Sequence, residues 1–170
     1  MRKLECELPK RKKNRLENYD YSQCGAYFLT ICVQNHDQIL WENNVGANSV
    51  RPPSLSEIGI VVDEKINEIA TKYPMTNVDK YIIMPNHIHL IIVLRTMDEN
   101  GRTLFAPTIS RVVKQFKGVV TKQIGWSIWQ KSFHDHIIRN DEEYQKIWDY
   151  IEYNPLNWEH DCYYGVTDNN

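Results

Sequence analysis

The chain has 170 residues, of which 42% are hydrophobic, and its net charge at pH 7 is −2. This length and composition suit one globular domain with a hydrophobic core. No apolar run reaches the 18 residues that a membrane span needs, and none follows the basic N-terminus as in a secretory signal, so we expect a cytoplasmic protein. The four cysteines are scattered without a C-x-x-C pair, which indicates reduced thiols rather than a zinc site.

Charge is distributed unevenly along the chain. Residues 1–15 carry seven basic and two acidic residues, and residues 101–140 carry seven basic residues and one acidic residue. Residues 141–170 carry one basic and eight acidic residues. Phosphate binding depends on a local basic face rather than on the net charge. The composition therefore leaves open whether the basic segments bind nucleic acid or are solvated surface.

The hydrophobic pattern and the turn residues predict seven elements. In chain order they are a strand over 25–33, a helix from Ser54 or Ser56 to about residue 72, strands over 78–84 and 87–94, a basic amphipathic helix over 108–124, a short strand or extended segment over 128–138, and a helix from Asn140 to Pro155. Residues 43–54 and 98–107 are predicted loops. This order predicts an α+β fold of the ferredoxin-like, split βαβ type, an antiparallel sheet with helices packed on one face.

A histidine pair interrupts the third predicted strand. Because side chains on a strand alternate between faces, His87 and His89 project to one side while Ile88 and Leu90 project into the core. Two imidazoles about 7 Å apart along a strand can converge on one metal ion and leave positions open for substrate oxygens. An ordinary half-buried pair stays possible, but apolar packing gives no reason for two histidines here.

The last predicted helix carries a second group of candidate residues. Tyr150 and Asn154 are four residues apart, so they are neighbours on the helix surface, at the edge of its apolar stripe. The amide of Asn154 supplies a hard oxygen that suits Mg²⁺ or Mn²⁺. Since the chain has ten tyrosines, Tyr150 by itself is as readily a packing residue as a nucleophile.

Four segments resemble single-tyrosine HUH transposases, and the REP-associated tyrosine transposases in particular. In the order found in that family they are GAYFLTIC at 25–32, MPNHIHLI at 84–91, WQKSFHDHIIRN at 129–140 and DYIEYNP at 149–155. The second and fourth segments are the specific ones, and the resemblance spans residues 19–160. It implies a single HUH transposase-like catalytic domain over 25–160, between a basic N-terminal arm (1–24) and a polar C-terminal tail (161–170).

The resemblance also implies residue roles and a reaction. His87 and His89 match the two histidines of the HUH motif, Tyr150 matches the nucleophile, and Asn154 lies where the family has a third polar ligand of Mg²⁺ or Mn²⁺. In the implied reaction Tyr150 attacks single-stranded DNA beside a hairpin, of REP-like or element-end sequence, and forms a 5′-phosphotyrosine. A bacterial, nucleoid-associated protein is implied, and the sequence leaves monomer or homodimer open.

Basic and aromatic side chains are candidates for holding the DNA. Besides the arm, the predicted phosphate contacts are Arg111, Lys114, Lys117, Lys122 and Arg139. Trp126 and Trp129 are able to stack on bases, but we favour a place for both in the core.

Three other interpretations stay open. A catalytically silent nucleic-acid-binding module on the same fold would not need Tyr150. A metal hydrolase that uses water as its nucleophile would cut DNA without forming a covalent adduct. The metal could instead lie at a second H-x-H pair, His134 and His136, although we favour structural or supporting roles for these two residues.

Overall fold

The computed structural model describes residues 23–42, 54–95 and 107–165. Most of the predicted arm over 1–24, and nearly all of the loops predicted over 43–54 and 98–107, lie outside the described residues. Among the described helices, none combines the length and the apolar character needed to cross a membrane.

Four antiparallel strands and four helices form the domain. In chain order they are β1 (Gly25–Cys32), α1 (Glu57–Asn67), α2 (Ile69–Lys72), β2 (Thr76–Ile83), β3 (His87–Leu94), α3 (Ile109–Ile124), β4 (His134–Ile138) and α4 (Asp141–Tyr153). A 3-10 segment, Asn154–His160, continues from α4. The strands lie in the order β2-β3-β1-β4, and all neighbours are antiparallel. The predicted α+β class with a ferredoxin-like order of elements is therefore confirmed.

The two faces of the sheet are covered by different helices. On one face, residues such as Leu29 of β1 and Leu90 of β3 form the main core with α1 and α3. On the other face, Phe28 and Ile91 pack against α4 around Ile151. The prediction of helices on one face holds for α1 and α3 but not for α4. The physical reason is that β1 and β3 also carry apolar residues on their second face, and the apolar stripe of α4 covers them.

The start of α4 is fixed by a cap that the sequence predicts. The side-chain oxygen of Asn140 accepts a hydrogen bond from the backbone N–H of Glu143 at 2.8 Å, and the Glu143 carboxylate accepts one from the backbone N–H of Arg139 at 2.8 Å. The other oxygen of Glu143 contacts Nε2 of His136, on β4, at 2.7 Å. These bonds tie the first turn of α4 to the edge of the sheet, two helical turns before Tyr150.

Candidate active site

The histidine pair lies on the sheet face that α4 covers. His87 and His89 both project to this face, as their spacing predicts, and their Nε2 atoms are 3.0 Å apart. Both side chains are buried, with 0% and 2% of their surface exposed. Their surroundings are partly polar, because Nδ1 of each ring also has a hydrogen-bonding partner.

Asn86 decides which nitrogen of His87 carries the proton. The amide nitrogen of Asn86 donates to the backbone carbonyls of Tyr163 at 2.9 Å and His36 at 3.2 Å. The amide oxygen of Asn86 is therefore the atom that faces Nδ1 of His87, at 2.8 Å, and it accepts from it. Nε2 of His87 is then left with a lone pair that points toward His89.

His89 is held from two sides. Its Nδ1 lies 2.9 Å from the hydroxyl oxygen of Thr30 on β1, and its Nε2 lies 3.2 Å from the hydroxyl of Tyr150. The tautomer of His89 with its proton on Nδ1 donates to Thr30 and leaves the Nε2 lone pair facing Nε2 of His87 and the hydroxyl of Tyr150. A cation between the two Nε2 atoms would bind both lone pairs. Two ligands about 2.1 Å from one ion and at right angles to each other are about 3.0 Å apart, so the observed separation fits a shared ion.

Both imidazoles are in the protonation state that metal binding requires. Burial lowers the pKa of His89 to about 3. Burial, together with the neighbouring imidazoles of His89 and His36, lowers the pKa of His87 well below its usual value. Since only a neutral imidazole offers a lone pair, both rings are competent ligands at neutral pH.

Tyr150 lies between the histidine pair and solvent. Its ring packs edge-on against His89 and Phe28, with centroid distances of 5.2 and 6.1 Å. The residue is nevertheless 44% exposed, so one side of the phenol is open to a large substrate. Tyr144, on the same helix, differs: its hydroxyl donates to Asp79 at 2.7 Å, and burial and Asp79 raise its pKa to about 12. Tyr150 is thus the tyrosine of α4 whose hydroxyl contacts the histidine pair.

Asn154 and Asp161 lie beside Tyr150. All three line an open cleft of about 510 Å³. Asn154 is buried, and its side-chain oxygen has no hydrogen-bonding partner among the described residues. A buried amide oxygen without a hydrogen-bonding partner lowers stability, and a bound ligand would supply that partner. Each of His87, His89 and Asp161 offers a ligand atom, and these atoms lie within 4.8 Å of one another.

Sequence reasoning missed three residues of this site. Thr30 and Asn86 orient the two imidazoles, and Asp161 belongs to the segment 161–170 that we assigned to a polar tail. Within this segment the Tyr163 ring is 4.6 Å from the His87 ring. Asn86 directly precedes the histidine motif, which is a usable signal, whereas the residues after Pro155 have no periodicity that points to Asp161.

The predicted phosphate contacts are dispersed. Arg111, Lys114, Lys122 and Arg139 are exposed, but α3, which carries the first three, packs on the sheet face opposite Tyr150. Lys117 is engaged with the protein itself. Its ammonium donates to the backbone carbonyls of Gln130 and Ser132 at 2.9 and 2.8 Å, and burial lowers its pKa to about 8.

The remaining candidates have separate environments. Trp129 is buried in the main core, as favoured from the sequence, whereas Trp126 is 52% exposed. His136 contacts Glu143, and His134 is exposed at the sheet edge. Within the described ranges, the group His87, His89 and Asp161 is the one cluster of His, Cys, Asp or Glu with metal-binding spacing, and it does not include His134 or His136.

Comparisons with known proteins find similar sequences and a similar fold, although no family model matches the chain. An uncharacterised protein of Haemophilus influenzae is 30% identical over 172 residues, which cover 91% of this chain and 93% of the relative. A second Haemophilus influenzae protein, assigned to the REP-associated tyrosine transposases, is 28% identical over 150 residues, or 83% of this chain and 77% of the relative.

A solved structure extends the comparison to the fold. A REP-associated tyrosine transposase bound to a REP hairpin superposes with a TM-score of 0.61 at 22% identity, over 85% of this chain and 74% of that one. At this identity the match shows a shared fold. The chain is thus similar in sequence to REP-associated tyrosine transposases and has the fold of one of them.

Proposed function

We propose that this protein is a metal-dependent endonuclease and strand transferase for single-stranded DNA, with Tyr150 as its nucleophile. One observation carries the proposal: the exposed Tyr150 phenol lies 3.2 Å from Nε2 of His89, which is itself 3.0 Å from Nε2 of His87. A nucleophile that lines an open cleft on a helix therefore contacts a potential metal centre on a strand. A silent binding module has no need for this convergence.

The residues present fit a divalent cation, Mg²⁺ or Mn²⁺. His87 and His89 contribute two neutral nitrogens, and Asn154 contributes the buried oxygen that lacks a partner. A bound cation would polarise the scissile phosphate and offset the negative charge that builds up as the reaction proceeds.

Tyr150 attacks the scissile phosphate and keeps the 5′ product covalently bound. Its phenolic oxygen bonds to phosphorus, the bond from phosphorus to the 3′-oxygen breaks, and the phenol proton is lost while the 3′-oxygen gains one. The products are a 5′-phosphotyrosine and a free 3′-hydroxyl. Because a phosphodiester replaces a phosphodiester, the link can be transferred to another 3′-hydroxyl without ATP. Phe28 and His89 fix the ring edge-on during both steps.

The proposed substrate is single-stranded DNA next to a hairpin. The solved relative is bound to a REP hairpin, and we propose a hairpin of REP-like or element-end sequence for this chain. A single strand is flexible enough to bring one phosphate into the cleft, whereas duplex DNA is stiff. Arg111, Lys114, Lys122 and Arg139 are exposed cations that can contact the hairpin backbone. Since α3 lies on the far face, its contacts would be separate from the point of cleavage.

The test uses hairpin-flanked oligonucleotides labelled at either end, with Mn²⁺ or with EDTA. We expect Mn²⁺-dependent cutting in which the protein stays attached to the 5′ end of the downstream fragment on a denaturing gel. Cutting without an attached protein would instead support a hydrolase that uses water. Binding without cutting under any metal would support the silent module, and either result would overturn the proposal.

A further inference from the structure

The segment after α4 brings a carboxylate to the histidine pair. A ligand atom of Asp161 lies within 4.8 Å of ligand atoms of both His87 and His89, although more than 70 residues separate it from them in the sequence. Neither the fold of the sheet nor the helix α4 requires an acidic residue here. Two neutral imidazoles beside a carboxylate give this group of ligand atoms a negative charge that a cation would balance.

The backbone of this segment positions the Asp161 carboxylate. One of its oxygens, Oδ1, accepts a hydrogen bond from the backbone N–H of Tyr163 at 2.7 Å. The backbone N–H of Asp161 donates to the carbonyl of Trp158 at 3.0 Å, and its carbonyl accepts from Tyr164 at 3.0 Å. These bonds form a tight turn, so the direction of the carboxylate is set before any ligand binds. Within the described residues the second oxygen, Oδ2, has no hydrogen-bonding partner.

Asn86 connects this turn to the imidazole of His87. Its amide oxygen accepts from Nδ1 of His87, and its amide nitrogen donates to the carbonyl of Tyr163, two residues after Asp161. The Tyr163 ring also packs against the His87 ring. A single buried amide therefore fixes the position of one imidazole and of the segment that carries Asp161. Asn86 thus helps to position the potential ligand atoms of both His87 and Asp161.

We propose that Asp161 is a carboxylate ligand of the divalent cation held by His87 and His89. The proposal rests on the function proposed above and adds a ligand that lies outside the helix of the nucleophile. Carboxylate oxygens are preferred ligands of Mg²⁺ and Mn²⁺, and two imidazoles alone make a weak site for such hard cations. Cation binding would then also hold the residues around Asp161 against β3.

The test measures binding of Mn²⁺ alone to the metal-free, full-length protein by titration calorimetry. Asp161→Asn keeps the oxygen that accepts from Tyr163 but removes the charge, so the turn should survive. Glu159→Gln is the matched control, because it removes the same charge from an exposed residue two positions away. We expect Asp161→Asn to weaken Mn²⁺ binding by about 10-fold or more, and Glu159→Gln to leave it unchanged.

The outcomes separate the two proposals. If the parent binds Mn²⁺ and Asp161→Asn binds it equally well, Asp161 is not a ligand, while the histidine site stands. If Glu159→Gln weakens binding as much as Asp161→Asn does, the effect is long-range charge and the assignment of Asp161 is wrong. If the parent itself binds no Mn²⁺, the metal-dependent function fails as well. Equal melting temperatures of the metal-free variants show that the fold is intact in each comparison.

Discussion

The hydroxyl of Tyr150 lies 3.2 Å from Nε2 of His89, although 61 residues separate them in the sequence. The contact joins helix α4 to strand β3, and it depends on α4 packing on the sheet face to which the histidines project. It brings a candidate nucleophile to within one hydrogen bond of a candidate metal ligand.

Thr30 should control metal binding through the tautomer of His89. Its hydroxyl oxygen is the partner of Nδ1 of His89, and a proton on Nδ1 leaves Nε2 free to bind a cation. We expect Thr30→Val to lower the affinity for Mn²⁺ by about 10- to 100-fold, the usual effect of losing a residue that supports a metal ligand. Calorimetric titration of the metal-free protein measures this effect.

Thr76 provides a matched control for this substitution. It is also a buried threonine on a strand, but its hydroxyl oxygen has no hydrogen-bonding partner among the described residues. Thr76→Val should therefore leave Mn²⁺ affinity unchanged. An equal loss of affinity in both variants would mean that core packing, and not the bond to His89, is responsible.

Asn154 is expected to strengthen Mn²⁺ binding without stabilising the metal-free protein. Its side-chain oxygen is buried without a partner, so the metal-free protein gains nothing from it. We expect the free energy of unfolding of Asn154→Leu to equal that of the parent or to exceed it by up to about 1–3 kcal/mol. We also expect this variant to bind Mn²⁺ more weakly. Urea unfolding and calorimetry measure the two quantities. A variant that is less stable and binds Mn²⁺ normally would show that Asn154 serves the fold.

The exposed cations of α3 should contribute to the salt dependence of DNA binding. A protein cation that neutralises a phosphate releases a counterion, and each such contact to the duplex stem of a hairpin adds about 0.9 to the slope of log affinity against log salt. We expect the double variant Lys114→Ala/Lys122→Ala to reduce the slope by about 1.8. Lys117→Ala should leave the slope unchanged, because the Lys117 ammonium is held by backbone carbonyls. An unchanged slope in the double variant would mean that these two lysines of α3 do not contact DNA phosphates.

Lys117 should make stability depend on pH in the alkaline range. Burial lowers its pKa to about 8, whereas an unfolded lysine titrates near pH 10.4. The unfolded chain thus binds more protons between these two values, and the free energy of unfolding rises with pH across this window. We expect the stability difference between the parent and Lys117→Met to shift in favour of the parent from about pH 7 to about pH 10. A constant difference for Lys117→Met would contradict the burial argument.

The sequence was sufficient for some parts of the site because they depend on local periodicity. Alternation along β3 predicts that His87 and His89 share a face, and the 3.6-residue repeat places Tyr150 at the edge of the apolar stripe of α4. The helix cap at Asn140 follows from the spacing to Glu143 in the same way. Each of these features needs only residues a few positions apart.

Features that depend on tertiary packing could not be predicted from the sequence. The placement of α4 on the second face follows from which apolar residues of the sheet are left uncovered by α1 and α3, a property of the assembled sheet. Thr30 orients His89 only because β1 and β3 pair in one register. Asp161 reaches the site through an irregular segment whose path is fixed by the long-range bond from Asn86 to Tyr163. No local pattern specifies either relationship.

Tyr150 is expected to form a covalent bond to DNA through its single side-chain oxygen, which substitution by Phe removes. Tyr150→Phe keeps the ring that packs on Phe28 and His89, so the fold and the binding of hairpin DNA should be retained. Tyr153→Phe is the matched control, since Tyr153 is on the same helix, is 57% exposed and has no contact with His89 among the described residues.

The decisive measurement is the covalent protein–DNA adduct on a denaturing gel, after incubation of each protein with labelled hairpin-flanked single-stranded DNA and Mn²⁺. The account predicts an adduct with the parent and with Tyr153→Phe, and neither adduct nor cleavage with Tyr150→Phe, although this variant still binds the DNA. Cleavage by Tyr150→Phe at the parental rate would contradict the account and assign the attack to water or to another residue.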